Sequence, residues 1–262
     1  MTCKVIGALA AFLWIAALAS AQLTNSIVEP SHPAIGYPGD SSDRVAQLNQ
    51  RFQSGEVTLQ FAEPTGYLRS LLVALDIPVE SQIALFSGTS LQGRLVSARN
   101  PRTIFFNDST TVAWMAGGFI EIASLDPRLG AIFYVLPQAA TPSPQLARDT
   151  RCLQCHYAAA TLGVPGFLVR SIPSSRDGMI LPWLGNYTTD HRSPFEVRWG
   201  GWFVTGTHKA ARHMGNAVAH DSTNLAAMIT PKSAHVTDLT ARFDPAGYLS
   251  LHSDLVALMV MS

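Results

Sequence analysis

The chain has 262 residues, 18 Lys plus Arg against 18 Asp plus Glu, and 47% apolar but only 14% charged side chains. Zero formal net charge and the lack of any basic run exclude a protein that tracks phosphates, so nucleic acid is not an expected partner. The apolar content suffices for one large core or two small ones, and three cysteines are too few for a disulfide framework.

Lys4 begins a positively charged start, Val5 to Ala19 is an almost unbroken apolar run, and Ala19-Ser20-Ala21 supplies a small-x-small cleavage pattern. Together they predict a signal peptide over residues 1–21 and an exported, periplasmic mature chain. The run is shorter than the roughly 20 residues of a bilayer span, so no stable membrane span is expected after cleavage. Cys3 lies too early for a lipidated cysteine.

Residues 22–45 read as a loose leader. Glu29-Pro30-Ser31-His32-Pro33 and Gly36-Tyr37-Pro38-Gly39-Asp40 are turn chemistry without hydrophobic period, and His32 reads as a solvated loop histidine. Residues 46–140 read as a β-rich module. Tyr67 to Leu75 has helical apolar spacing and ends before Pro78. Short β-like runs follow at 83–86, 103–106, 111–114, 119–123 and 131–136, separated by turn clusters such as Asn107-Asp108-Ser109. This predicts a mainly antiparallel sheet with one or two helices, in which Glu121 points to solvent. Thr141-Pro142-Ser143-Pro144 is a stiff polar connector and the expected domain boundary.

A second domain is expected over residues 145–262. Asp149 or Thr150 can cap a helix carrying Cys152-Leu153-Gln154-Cys155-His156, with Tyr157 to Ala160 extending it and Gly163-Val164-Pro165-Gly166 ending it. Strands are expected over 167–172 and 196–205, so the fold class is α+β. The final stretch, Asp254 to Met261, looks like the opening of a helix with no polar exit before Ser262, which suggests truncation.

The five residues from Cys152 to His156 form a C-x-x-C-H signature, the attachment pattern of a c-type haem. Two thiols three positions apart lie on one side of a helical turn, where each can add to one porphyrin vinyl group. The histidine directly after them can ligate iron from the proximal side. A dithiol oxidoreductase would want its C-x-x-C after a strand of a βαβ unit, and a Pro-rich connector precedes it instead. A zinc site would need a further ligand. Here the sequence resembles the c-type cytochromes. The run from Thr189-Asp190-His191-Arg192 through Arg198-Trp199-Gly200-Gly201-Trp202 to His213-Met214-Gly215-Asn216 is also similar to exported bacterial cytochrome c domain proteins of unassigned reaction.

That resemblance implies one covalently bound haem c, with Cys152 and Cys155 as thioethers and His156 as proximal ligand. The distal iron position is open among Met214, His208, Met179 and His191, with Met214 ahead of His208, and a vacant position is a further alternative. His220 and Met179 read more simply as loop residues. Trp199 and Trp202, with paired glycines between them, fit a pocket wall that approaches a flat ligand closely. Arg170, Arg192 and Arg198 are candidates for the two propionates, because guanidinium matches carboxylate geometry. The expected function is one-electron transfer between periplasmic redox proteins. The alternatives are a catalytic c-haem acting on peroxide, nitrogen oxides or a small reductant, and a haem-based sensor.

Overall fold

A computed structural model describes residues 29–207, 212–219 and 235–262. The expected signal peptide, His208 and His220 lie outside these residues. The chain divides into two units, residues 1–38 and 39–262. The described part of the first is turn structure, as its Pro-Gly chemistry predicts. The amide of His32 bonds to the Glu29 carbonyl at 2.8 Å, and its Nδ1 accepts from the Ala34 amide at 3.2 Å.

The second unit is mixed α and β, built on one seven-stranded sheet. Its strands are β1 (Ile83–Leu85), β2 (Arg102–Phe106), β3 (Thr110–Trp114), β4 (Ile120–Asp126), β5 (Gly130–Leu136), β6 (Ala147–Arg148) and β10 (Trp202–Phe203), in the order β10-β1-β2-β3-β4-β5-β6. Every neighbouring pair is antiparallel. The five expected β-runs become β1 to β5, with ends shifted by a few residues. Small two-stranded pairings join β7 (Arg170–Ser171) to β9 (Tyr187–Thr188) and β8 (Ser174–Ser175) to β11 (Val218–Ala219).

One face of the sheet carries Ala84, Phe105, Val112, Ile120, Ile122, Tyr134 and Leu136, all buried. A helix unseen in the sequence, α1 (Arg44–Gln53), is tied to this face through its cap. Asp43 accepts from the amides of Val45 at 2.9 Å and Ala46 at 3.3 Å and takes the Tyr134 hydroxyl at 2.7 Å. Helix α2 (Leu68–Ala74) forms as expected, burying Leu68, Leu71 and Leu72. Replacing a buried aliphatic side chain there by Ala costs about 2–5 kcal/mol.

The expected boundary at 141–144 is not one. Tyr67 Oη accepts the Thr141 amide at 2.9 Å and donates to the Thr141 carbonyl at 3.1 Å, pinning the connector to α2. β10 from the far half of the chain then pairs with β1, so a single sheet crosses the supposed divide. Edge-strand pairing overrides the local stiffness of proline.

The other sheet face presents Ile83, Leu85, Arg102, Ile104, Ala113, Glu121, Ala123, Ala131 and Phe133. At the β10 end it is covered by Trp199, Trp202, Val204 and the C-terminal helix α4 (Leu255–Met261), capped by Asp254. At the β5 end Cys152 and Leu153 cover Ala123, Ala131 and Phe133. Between the two, Ile104, Phe106 and Thr111 are only half-buried. Glu121 is 8% exposed and ion-paired with Arg102, which corrects the expectation that it points to solvent. Its side of the strand is a covered face, which alternation alone cannot distinguish from a wet one.

Candidate haem-attachment site

The attachment motif begins where β6 ends. Asp149 accepts from the Arg151 amide at 2.9 Å and caps a 3-10 turn, Thr150–Cys152, that runs into the short helix α3 (Leu153–His156). Asp149 also takes the Arg151 guanidinium, which holds its carboxyl below the usual range. The expected extension through Tyr157 to Ala160 does not form. After His156 the chain makes a separate turn, Ala159–Thr161, and Leu162 adopts a left-handed conformation at φ 57°.

His156 is fixed from both sides. Its Nδ1 lies 2.9 Å from the Gly166 carbonyl, and the Gly166 amide donates back to the His156 carbonyl at 3.0 Å. A carbonyl only accepts, so Nδ1 carries the proton and Nε2 keeps its lone pair. The ring packs against Phe133 at 4.7 Å between centroids. Burial lowers the imidazole pKa, which keeps it in the neutral, ligating form.

The two thiols are free and differ in setting: Cys155 is exposed and Cys152 half-buried. Burial, then the charges of Asp149 and Glu121, push the Cys152 thiol up to about 12. A dithiol redox centre or a zinc site needs thiolate at neutral pH, so this setting disfavours both. Among the described residues, no group of three His, Cys, Asp or Glu side chains could hold a metal ion. A paired thiol set with an adjacent imidazole whose Nε2 is open fits a covalently tethered haem.

Most of the other sequence candidates gather around Trp199-Gly200-Gly201-Trp202. Trp199 is fully buried at φ 65°, edge-on to Phe195 at 5.5 Å and to His213 at 5.2 Å. Trp202 lies on β10 and donates its indole N–H to the Arg170 carbonyl at 2.7 Å. Met214 is 2% exposed, with the Ser171 hydroxyl 3.8 Å from its sulfur and its methyl against Gly200. The expected strand at 196–205 shrinks to two residues, because Trp199 and Gly201 take positive φ. That at 167–172 likewise shrinks to β7.

The three expected propionate arginines have partners within the protein. Arg170 bonds to Asn186, Arg192 to Asp190 at 3.0 Å, and Arg198 to the carbonyls of Ser193 at 2.8 Å and His191 at 2.9 Å. Met179 and His191 are exposed. Sequence reasoning missed Phe133, Gly166 and Arg102 beside the motif. The period of two in β4 and β5 would have aligned Ala123 with Phe133 had the strand pairing been known.

The described cleft of about 750 Å³ lies elsewhere, by α1 and α2, between Arg51, Arg69, Ser70 and Asp76. None of the described helices is long and apolar enough to cross a membrane. Comparison with protein-family models, curated proteins and solved structures finds no match for this chain.

Proposed function

We propose that this chain is an exported single-haem c-type cytochrome that passes single electrons between redox proteins. The observation that carries the reading is the open Nε2 of His156, directly after two free thiols and held by the Gly166 carbonyl. Outer-sphere bonds of this kind fix the tautomer and orientation of a ligating imidazole. Cys152 and Cys155 would hold the group as thioethers, and His156 would ligate its iron. Such a group supplies reversible ferric–ferrous exchange at a potential set by axial ligand, burial and nearby charge. The residues around it contribute a dry wall (Phe133, Ala123, Ala131) and a charge pair (Arg102, Glu121). The apolar run from Val5 to Ala19 before Ala19-Ser20-Ala21 supports export, the compartment where such attachment chemistry operates.

The test is expression with haem-attachment machinery, followed by haem staining of a denaturing gel and spectra of both oxidation states. One covalent haem per chain is expected, and none in Cys152→Ala/Cys155→Ala protein. Colourless, correctly exported protein with both thiols open to alkylation would end this reading.

One observation favours a second reading, a catalytic c-haem with an open distal position. The Met214 sulfur is buried and bonded to Ser171, so it would have to leave packed contacts to reach iron. Stoichiometric carbon monoxide binding to the reduced protein would support this reading over the carrier.

A further inference from the structure

The geometry points to Arg102 as the anchor for a carboxylate of the tethered tetrapyrrole: its Nε–H is buried beside the attachment motif and has no acceptor of its own. The inference rests on the haem reading above and names a residue the sequence did not suggest.

Arg102 leaves β2 on the sheet face that Cys152 and Leu153 cover. Ala113 on β3 sits between Ile104 of β2 and Glu121 of β4 in register, and its small side chain leaves room for Arg102 to reach Glu121 across it. The arginine and glutamate side chains are 17% and 10% exposed. Glu121 is further held by Gln92, whose Nε2 lies 3.3 Å from Oε1. On the arginine, Nε is buried without any hydrogen-bond partner. Leaving a buried donor unpaired costs about 1–3 kcal/mol, more when it is charged, so such an atom marks a missing acceptor.

The position is the right one. The charges of Arg102 and Glu121 both act on Cys152 and on His156, so the pair lies in the field of the attachment turn. A guanidinium forms charge-assisted bonds that suit a carboxylate, and a c-type haem carries two propionates on the edge opposite its thioether links. Arg170, Arg192 and Arg198, by contrast, already bond to partners in the protein. As a stabilising device alone, a buried ion pair with an orphan nitrogen is a poor one.

The experiment uses the haem-loaded protein, reduced under carbon monoxide so that iron is diamagnetic, with nitrogen-15 in its arginines. The Nε–H signal that disappears in Arg102→Lys identifies the group. It is expected to show cross-relaxation to propionate methylenes, and exchange slowed at least about tenfold relative to haem-free Cys152→Ala/Cys155→Ala protein. A second measurement uses the neutral, equal-sized double variant Arg102→Gln/Glu121→Gln, which avoids a lone buried charge. Its covalent haem should remain, while the propionate bending band in the resonance Raman spectrum shifts. Haem-stained protein whose Arg102 Nε–H exchanges as fast as in the haem-free variant, or whose double variant keeps the parent band, overturns the assignment. Protein without haem stain overturns the haem reading itself, and the Arg102 assignment falls with it.

Discussion

His156 and Gly166 exchange two hydrogen bonds across ten positions of sequence, one through the imidazole Nδ1 at 2.9 Å and one through the backbone at 3.0 Å. The acceptor on the ring is a main-chain carbonyl, so no side-chain replacement can delete it. Nitrogen-15 spectra of the haem-free chain at neutral pH should show Nδ1 protonated and Nε2 bare. The reverse tautomer would mean that the loop from Ala158 to Gly166 does not hold the ring as described.

The thiols should differ sharply in reactivity before any haem is attached. Cys155 is exposed, whereas burial raises the Cys152 thiol to about 12. With iodoacetamide at pH 8, Cys155 should alkylate at least about tenfold faster, because the thiolate is the nucleophile. Peptide mass spectrometry over time measures the ratio, and equal rates would contradict the burial of Cys152.

Asp126 should make the fold acid-sensitive. Burial alone would raise its carboxyl, but bonds from the amides of Ser42, Arg128 and Leu129 and the Ser42 hydroxyl outweigh that and bring it to about 2. The unfolded chain takes up the proton first. The stabilisation is therefore complete above the ordinary carboxylate range and is lost as pH falls through that range towards 2. Asp126→Ala, which orphans three amides, should cost on the order of 3 kcal/mol in urea unfolding and flatten that acid limb.

Gly201→Ala should be among the most damaging single changes. Gly201 sits at φ 80°, and an added Cβ would lie 2.6 Å from the Ile172 carbonyl oxygen and 2.7 Å from Ser87 Cβ. Backbone on one side and a buried side chain on the other leave nothing to yield, so a loss above about 2 kcal/mol is expected. Thermal unfolding of the variant measures it.

Met214→Leu should cost less than about 1.5 kcal/mol, as a near volume-conserving change in a packed site. Its haem spectrum should match the parent, since the sulfur already bonds to Ser171. A changed ferric spectrum would instead identify Met214 as the distal ligand.

Strand existence in the first half was legible because the alternation in β1 to β5 is strong and the turns between them carry Asn, Asp, Pro and Gly. The helix from Arg44 was not, since its buried positions, Val45 and Leu48, are too few to set a period. Around the site, the spacing of Cys152, Cys155 and His156 announced the chemistry, but the wall behind it did not announce itself. Phe133 and Arg102 reach the motif only through strand pairing, which joins residues far apart in sequence. The fate of Glu121 shows the same limit: a period of two says that a residue alternates, never which side is wet.

The edge pairing of β10 with β1 has a consequence for how the molecule matures. The attachment turn lies on the stretch of chain between β6 and β10, so it is threaded and translocated before the last strand of the platform arrives. Cys152 is therefore open to a modifying enzyme early and shielded late, which sets an order of events. Severed at 141–144, the two fragments should each remain unstructured alone, yet regain a common body when mixed.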